Sequence, residues 1–478
     1  MPKDLRSFLD DLRKHAPEEL VTVTREVRPA DFEVNTLLEE FEALGKYPLL
    51  LLEHVRSLQG EPWPGRMVSQ ADPGTFRRAA LALGLPMNGT RCQEVIDRLS
   101  AAIERPIPPV VVPRREAPVQ EVVATGGAVD LATLPLLMHH EKDTRPGWFT
   151  PIMAAAHPES GRYNLSYHRN LYKGPSRVTS KISSRHLYEY LQLAAERGQS
   201  VPVAMVVGHH PGFYLASAMR APWTVDEYGA AGGTLGEPLR VVPSVSFGER
   251  LLVPADAEVV VEGEILPTVK DLEGPFGEWP HYYGPQTKQP VIECTAITMR
   301  RDAIFQAIWT SHHIIEDISH AAAVHAHLKT RFPRVLATSS LYHTWIITAI
   351  DKQSEGEPER VGALALGYGD HVKLVVVVDK DIDPFNLRQV FWAIAVRAQP
   401  DQAVQILRHF KSNPLDPSTV RPNLGSVMIV DATEPVDRPF EEVVAVPQAV
   451  KARIHSRLEE YVPRDVLNQV PTRDPWQI

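Results

Sequence analysis

Five prolines fall within thirteen residues, at positions 106, 108, 109, 113 and 118. Proline fixes φ near about −65° and has no backbone N–H to donate, so this stretch reads as an extended connector. It sets a boundary in a chain of 478 residues. Such a length exceeds what one hydrophobic core serves, and two or three domains are expected.

Ahead of the connector the pattern is α/β. Leu5, Phe8, Leu9 and Leu12 recur at helical spacing, and Val34 to Leu44 repeats the period. Leu49 to Leu52 reads as a short buried strand. Thr75 to Leu83 and Gln93 to Ile103 read as helices, the first stopped by Gly84 and Pro86. Beyond the connector the character changes. Val201 to Val207, Val259 to Val261 and Ile292 to Met299 are strand-like runs between Gly and Pro punctuation, interrupted by a helix at Leu187 to Arg197. Several strands with few long helices point to a barrel or a strongly curved sheet. A helix from Ile318 to Arg331 then leads to a second α/β unit. Its strands are Trp345 to Ile350 and Leu374 to Val378, and its helix is Phe385 to Ala398.

Charge excludes some functions. Lys plus Arg number 50 and Asp plus Glu 59, a net charge of −9. A mildly acidic chain has no global pull on nucleic acid or anionic membrane. The charged start, Met1 to Phe8, lacks a signal-peptide core, and no apolar run approaches the roughly 20 residues of a membrane span. A cytoplasmic protein is expected. Two distant cysteines, Cys92 and Cys294, make neither a metal clip nor a disulfide framework. Phosphate-loop, HExxH and GxSxG patterns are absent.

The sharpest local feature is Leu272-Glu273-Gly274-Pro275-Phe276-Gly277-Glu278. Two carboxylates flank a Gly-Pro-Phe-Gly bend that can turn both toward one cavity. Close carboxylates raise each other's pKa, so one can hold a proton and donate it. The bland alternative is a solvated turn carrying two incidental acids. A second feature is Asn164-Leu165-Ser166-Tyr167-His168-Arg169. If extended, Asn164, Ser166 and His168 share one face and Leu165, Tyr167 and Arg169 the other. Arg169 is a natural fork for Glu273 and Glu278, although a lone strand Arg is more often a surface charge. Asn164, His186 and Glu227 form a third, scattered set of hard donors suited to Mn²⁺ or Mg²⁺, which only a fold could assemble. The pairs His139-His140 and His209-His210 read as structural. His312-His313 follows a strand, Ala303 to Trp309, and could enter a pocket.

With these residues in view, the chain resembles the UbiD-type decarboxylases from about Val122 to Asp431. The marks are Leu272 to Glu278, Asn164 to Arg169 and Val225 to Gly232, then Val253 to Val259 with Glu262-Gly263, and Val376 to Ile382. The resemblance implies an α+β fold in four parts. These are an N-terminal α/β segment with the connector (1–118), a central split β-barrel binding flavin (119–317), a connecting helix (318–332), and a C-terminal α/β oligomerisation domain (333–478). It implies a prenylated FMN cofactor, with Mn²⁺ (or Mg²⁺) on Asn164, His186 and Glu227. It places K⁺ near Leu165, Ala216, Ser217, Met219 and Glu227. Leu165, Ser166, Tyr167, His168, Arg169 and Arg185 fall in its cofactor-binding set, with Lys373 beside the phosphate.

The implied catalytic residues are Arg169, Glu273 and Glu278. The implied activity is reversible decarboxylation through a covalent adduct with the prenylated flavin, which takes up the electrons. Glu278 would return the proton. His312, His313 and Asp317 fall on a pocket-lining stretch, more polar than a cinnamate would need, and favour a hydroxylated aromatic or heteroaromatic acid. Implied partners are that acid, a flavin prenyltransferase as cofactor supplier, and further copies of the chain in a homodimer or homohexamer. Two other readings stay open: a non-catalytic subunit of a larger decarboxylase, and a metal-dependent hydrolase without flavin.

Overall fold

The computed structural model describes residues 2–71, 74–182, 185–309, 314–419, 421 and 423–469. The chain divides into two compact units. The first comprises residues 1–327, 340–344 and 411–425, and the second 328–339, 345–410 and 426–478.

The first unit opens on the helix Leu5–His15. Asp4 caps it by accepting from the Ser7 amide, and Leu5, Phe8, Leu9 and Leu12 are buried along one stripe. Four strands then form a sheet in the order Leu20–Val23, Leu49–Leu52, Arg66–Ser69, Ile304–Ala307. The fourth strand arrives more than 200 residues after the third and pairs with it in parallel. The boundary expected at residue 118 is therefore not a division between compact units. The N-terminal sheet is completed by a strand from the region beyond it. The proline-rich connector itself supplies an edge strand, Val110–Val111, to a small sheet with Arg240–Ser244 and Gly248–Pro254. Proline suits that position, because an edge leaves backbone N–H groups unused.

The main sheet has nine strands. Its path runs Trp148–Phe149, Asn170–Gly174, Arg177–Ser180, Thr287–Met299, Val259–Glu273, Val201–Val207, Ile152–Ala156, Tyr163–Tyr167, and Val122–Thr125 also pairs with Thr287–Met299. Among the described residues no ladder joins the two ends of that path, so the sheet is split rather than closed. Two long antiparallel strands, Val259–Glu273 and Thr287–Met299, form its spine, with register shifts at Glu262/Gly263 and between Leu266 and Lys270. Such bulges strengthen the twist and re-aim the residues beyond them. Glu273 lies beyond both shifts, at the end of its strand.

The second unit carries a five-stranded sheet in the order Val335–Leu341, Trp345–Ile350, Leu374–Asp379, Leu424–Ala432, Val404–Lys411. Ile347, Val376, Val378, Val390 and Ala393 are in its core. The helix that precedes this sheet in sequence runs Ile314–Lys329, starting four residues before the sequence pattern suggested. Among the described residues no helix is long and apolar enough to cross a membrane. Both cysteines are free thiols.

Candidate active site

Arg169 lies two residues beyond the strand Tyr163–Tyr167. Its Nε and Nη2 donate to Glu273 Oε1 and Oε2 at 2.6 and 2.9 Å, a two-pronged fork. Its Nη1 meets Glu278 Oε1. The guanidinium also sits over the Phe276 ring, 5.0 Å from the centroid. Glu273 is fully buried and Glu278 is 8% exposed. The alternative of two incidental acids on a solvated turn does not hold, because both carboxylates are buried on one cation.

The loop between the glutamates is held from outside. Gly274 has φ +81°, in the left-handed region where a side chain would be strained. Its carbonyl accepts from Thr144 Oγ1 at 2.6 Å and Gln286 Nε2 at 2.9 Å. The Gly277 amide donates to Asp143 Oδ1 at 2.7 Å. A Cβ at Gly277 would collide with the His140 ring. This explains one member of the His139-His140 pair: it packs against the loop that aims Glu278.

At the other end of the strand lie the metal-type donors. Glu227 is the first residue of the helix Glu227–Leu235, capped by Asp226, whose two oxygens accept from the Gly229 and Tyr163 amides. That double bond ties the helix start to the strand start. Glu227 Oε2 accepts from the Leu165 amide, and Oε1 lies 3.4 Å from His186 Nδ1. His186 is the second residue of the helix Arg185–Glu196, and its ring stands edge-on to Trp223 at 4.0 Å. Arg185 adopts φ +64° and donates to the carbonyls of Arg220 and Ala221. Asn164, His186 and Glu227 are all buried. Among the described residues no three His, Cys, Asp or Glu side chains converge on one point.

Hydrogen bonding decides which amide atom Asn164 presents. His168 Nδ1 lies 2.9 Å from the Lys181 carbonyl, which only accepts, so Nδ1 carries the proton. Burial pushes the His168 pKa down to about 4, so the ring is neutral and Nε2 accepts from Ser166 Oγ at 3.0 Å. Ser166 Oγ must then accept from Asn164 Nδ2, at 3.1 Å. With its Nδ2 committed to Ser166, the Asn164 side chain has its oxygen as the atom that can act as a ligand. The buried His186 Nε2 has no hydrogen-bond partner among the described residues. An orphaned imidazole nitrogen, a carboxylate and an oriented amide oxygen fit a hard divalent ion.

Residues 216, 217 and 219 lie at the C-terminal end of the helix Pro211–Ala218, which packs on the strand Tyr163–Tyr167. Ser217 Oγ donates to the Phe213 carbonyl, and Tyr167 Oη donates to the Tyr214 carbonyl at 3.1 Å. An extended step from Asn164 to Arg169 spans about 17 Å. The donor set and the acid cluster therefore lie at the two ends of one short segment.

The substrate-pocket residues fare differently. His312 and His313 lie outside the described residues. Asp317 is half-buried, and its oxygens accept from Ser340 Oγ, the Tyr342 amide and the His343 amide at 3.2, 3.0 and 2.8 Å. It holds a turn whose two residues, Tyr342 and His343, both have positive φ. Lys373 immediately precedes the strand Leu374–Asp379 of the second unit, and its carbonyl accepts from the Met428 amide. Sequence reasoning missed Lys181, whose Nζ lies 3.5 Å from Glu278 Oε1. It missed Asp143 and the orienting role of His168 as well. None of these carries a local signal, because each acts on a residue distant in the chain or through a tautomer.

Comparison with known proteins places this chain in a family. The chain matches the 3-octaprenyl-4-hydroxybenzoate carboxy-lyase Rift-related domain over residues 110–313 and the C-terminal domain of the same name over 313–432. It belongs to the UbiD family and is a carboxy-lyase. Among solved structures it is similar to the UbiD-class enzyme HmfF from Pelotomaculum thermopropionicum in complex with FMN, at 33% identity and TM-score 0.82. That match covers 95% of this chain and 99% of HmfF. An evolved dimeric form of HmfF is in complex with prFMN. The closed form of the Sedimentibacter hydroxybenzoicus vanillic acid decarboxylase is similar at 29% identity and TM-score 0.85, covering 97% and 100% of the two chains. A phenolic acid decarboxylase from the same organism is 29% identical over 456 residues, 91% of this chain and 92% of that one.

Proposed function

We propose that this chain decarboxylates a hydroxylated aromatic or heteroaromatic acid with prenylated FMN. In this reading the flavin is held through Mn²⁺ (or Mg²⁺) on Asn164, His186 and Glu227, with K⁺ near Ala216, Ser217 and Met219. The observation that carries the reading is the Arg169–Glu273–Glu278 cluster, buried and joined to the donor set by one strand. The FMN and prFMN complexes of HmfF support the cofactor. The phenolic and vanillic acid decarboxylases support the substrate class.

When bound, the prenylated flavin supplies an electron sink for the pair left by the departing carboxylate. The chain supplies the rest. Glu273 occupies Nε and one prong of Arg169, fixing the guanidinium plane. The remaining N–H groups can engage a substrate carboxylate as charge-assisted hydrogen bonds. Arg169 and the buried surroundings hold Glu278 where a proton is needed after CO₂ leaves. Glu278 then donates from its carboxyl oxygen to the substrate carbon. The sheet and the Phe276 ring exclude bulk water, which strengthens each of these interactions.

The test is to produce the chain together with a flavin prenyltransferase and record its spectrum, manganese content and CO₂ release. Vanillic, 3,4-dihydroxybenzoic and pyrrole-2-carboxylic acids serve as probes. Flavin absorbance, one Mn²⁺ per chain and CO₂ from at least one acid are expected. Chelation should release flavin, and added Mn²⁺ should restore it. Metal without flavin would instead identify a hydrolase.

A further inference from the structure

Glu278 faces a problem that its own neighbours create. Two cations reach its carboxylate among the described residues, Arg169 and Lys181, and both favour the ionised form. A proton donor must nevertheless be reloaded after every turnover. Arg169 cannot do this, because a guanidinium does not give up its proton. Glu273 is committed to the Arg169 fork. His168 is neutral and points its two nitrogens at Ser166 and the Lys181 carbonyl.

We propose that Lys181 recharges Glu278 with a proton between turnovers, so that it acts through Glu278 rather than on the substrate. The inference rests on Glu278 being the proton donor. Lys181 Nζ and Glu278 Oε1 are 3.5 Å apart on a direct line, and the lysine side chain is the more exposed of the two, 17% against 9%. It therefore meets solvent more readily than the carboxylate does. An N–H bond of Lys181 breaks as an O–H bond of Glu278 forms, turning an ion pair into a neutral pair. Glu278 passes that proton to the carbon, and the Lys181 amine takes another from water. No electron changes hands.

The charges around Nζ suit this role. Burial and Arg169 pull the Lys181 pKa down, Glu273 pulls it up, and the result is about 8. The ammonium is loaded at neutral pH and can still release its proton. Its supply fails as pH rises through about 8.

The test uses holoenzyme with the most active of the three probe acids, comparing wild type, Lys181→Met, Lys181→Arg and Glu278→Gln. Lys181→Met should keep its flavin spectrum and release a first equivalent of CO₂ normally, while steady-state turnover falls about 10²-fold. Lys181→Arg restores charge without a releasable proton, so it should stay as slow. An independent arm follows trace acetylation of Lys181 by acetic anhydride against pH, read by mass spectrometry. Glu278→Gln should move the Lys181 midpoint downward by removing its nearest anion. Wild-type turnover in Lys181→Met, rescue by Lys181→Arg, or an unmoved midpoint each overturns the relay. Full turnover in Glu278→Gln overturns the proton-donor reading itself, which keeps the two failures apart.

Discussion

At Arg169 one guanidinium serves two carboxylates, and burial decides what its loss would cost. Glu273 is fully buried, so Arg169→Met leaves a charge with neither water nor partner. Breaking such a pair from one side costs about 3–5 kcal/mol. Denaturant unfolding should show that loss in Arg169→Met and recover most of it in Arg169→Met/Glu273→Leu, with both variants inactive. Unchanged stability in the single variant would contradict the buried pair. The residues of this cluster were legible because the spacing of two acids across Gly274 to Gly277 is unusual. Lys181 was not, since nothing in Ser180-Lys181-Ile182 distinguishes a lysine that meets Glu278 from one that meets water. Asn164 was singled out from its pattern, but the atom it presents depends on the His168 tautomer, which no spacing encodes.

Among the elements, the loop after the strand Val259–Glu273 is the most constrained. Its glycine at 277 donates to Asp143 and has no room for a methyl group against His140. Gly277→Ala forces either the ring or the loop to move, a strain of about 1–3 kcal/mol. Since Glu278 is the next residue, turnover should fall well beyond what the lost stability explains. Turnover equal to wild type would mean that the loop does not aim the carboxylate. Periodicity located seven helices and the short apolar strands to within a few residues, and missed the helices Pro211–Ala218, Glu227–Leu235 and Glu357–Leu366. It found only the first residues of Val259–Glu273, because Glu264, Lys270 and Asp271 break the apolar run where that strand leaves the core. It could not assign Ile304–Ala307 to the N-terminal sheet, as an apolar tetrapeptide does not name its partner.

For the whole first unit, buried histidines set the response to acid. Burial lowers His139 and His168 to about 4 and His209 to about 3. Each stays neutral in the fold while the unfolded chain takes a proton near about pH 6.5. Their contribution is complete above that value and is lost as pH falls toward about 4. Asp256 opposes this: burial raises it to about 6, so the fold binds its proton first. The balance of these four groups is about two protons, or about 3 kcal/mol per pH unit. Thermal melts should drop steeply between pH 6 and about 4, and His209→Gln should flatten the slope. A flat profile would contradict the buried neutral rings.

The proposed chemistry turns on Glu278 returning the proton in a flavin-bearing site. The decisive assay is steady-state CO₂ release by Glu278→Gln beside wild type, both carrying prenylated flavin. The expected outcome is an unchanged flavin spectrum with turnover lost by at least about 10²-fold. Full turnover in the variant, with flavin bound, would remove Glu278 as the proton donor.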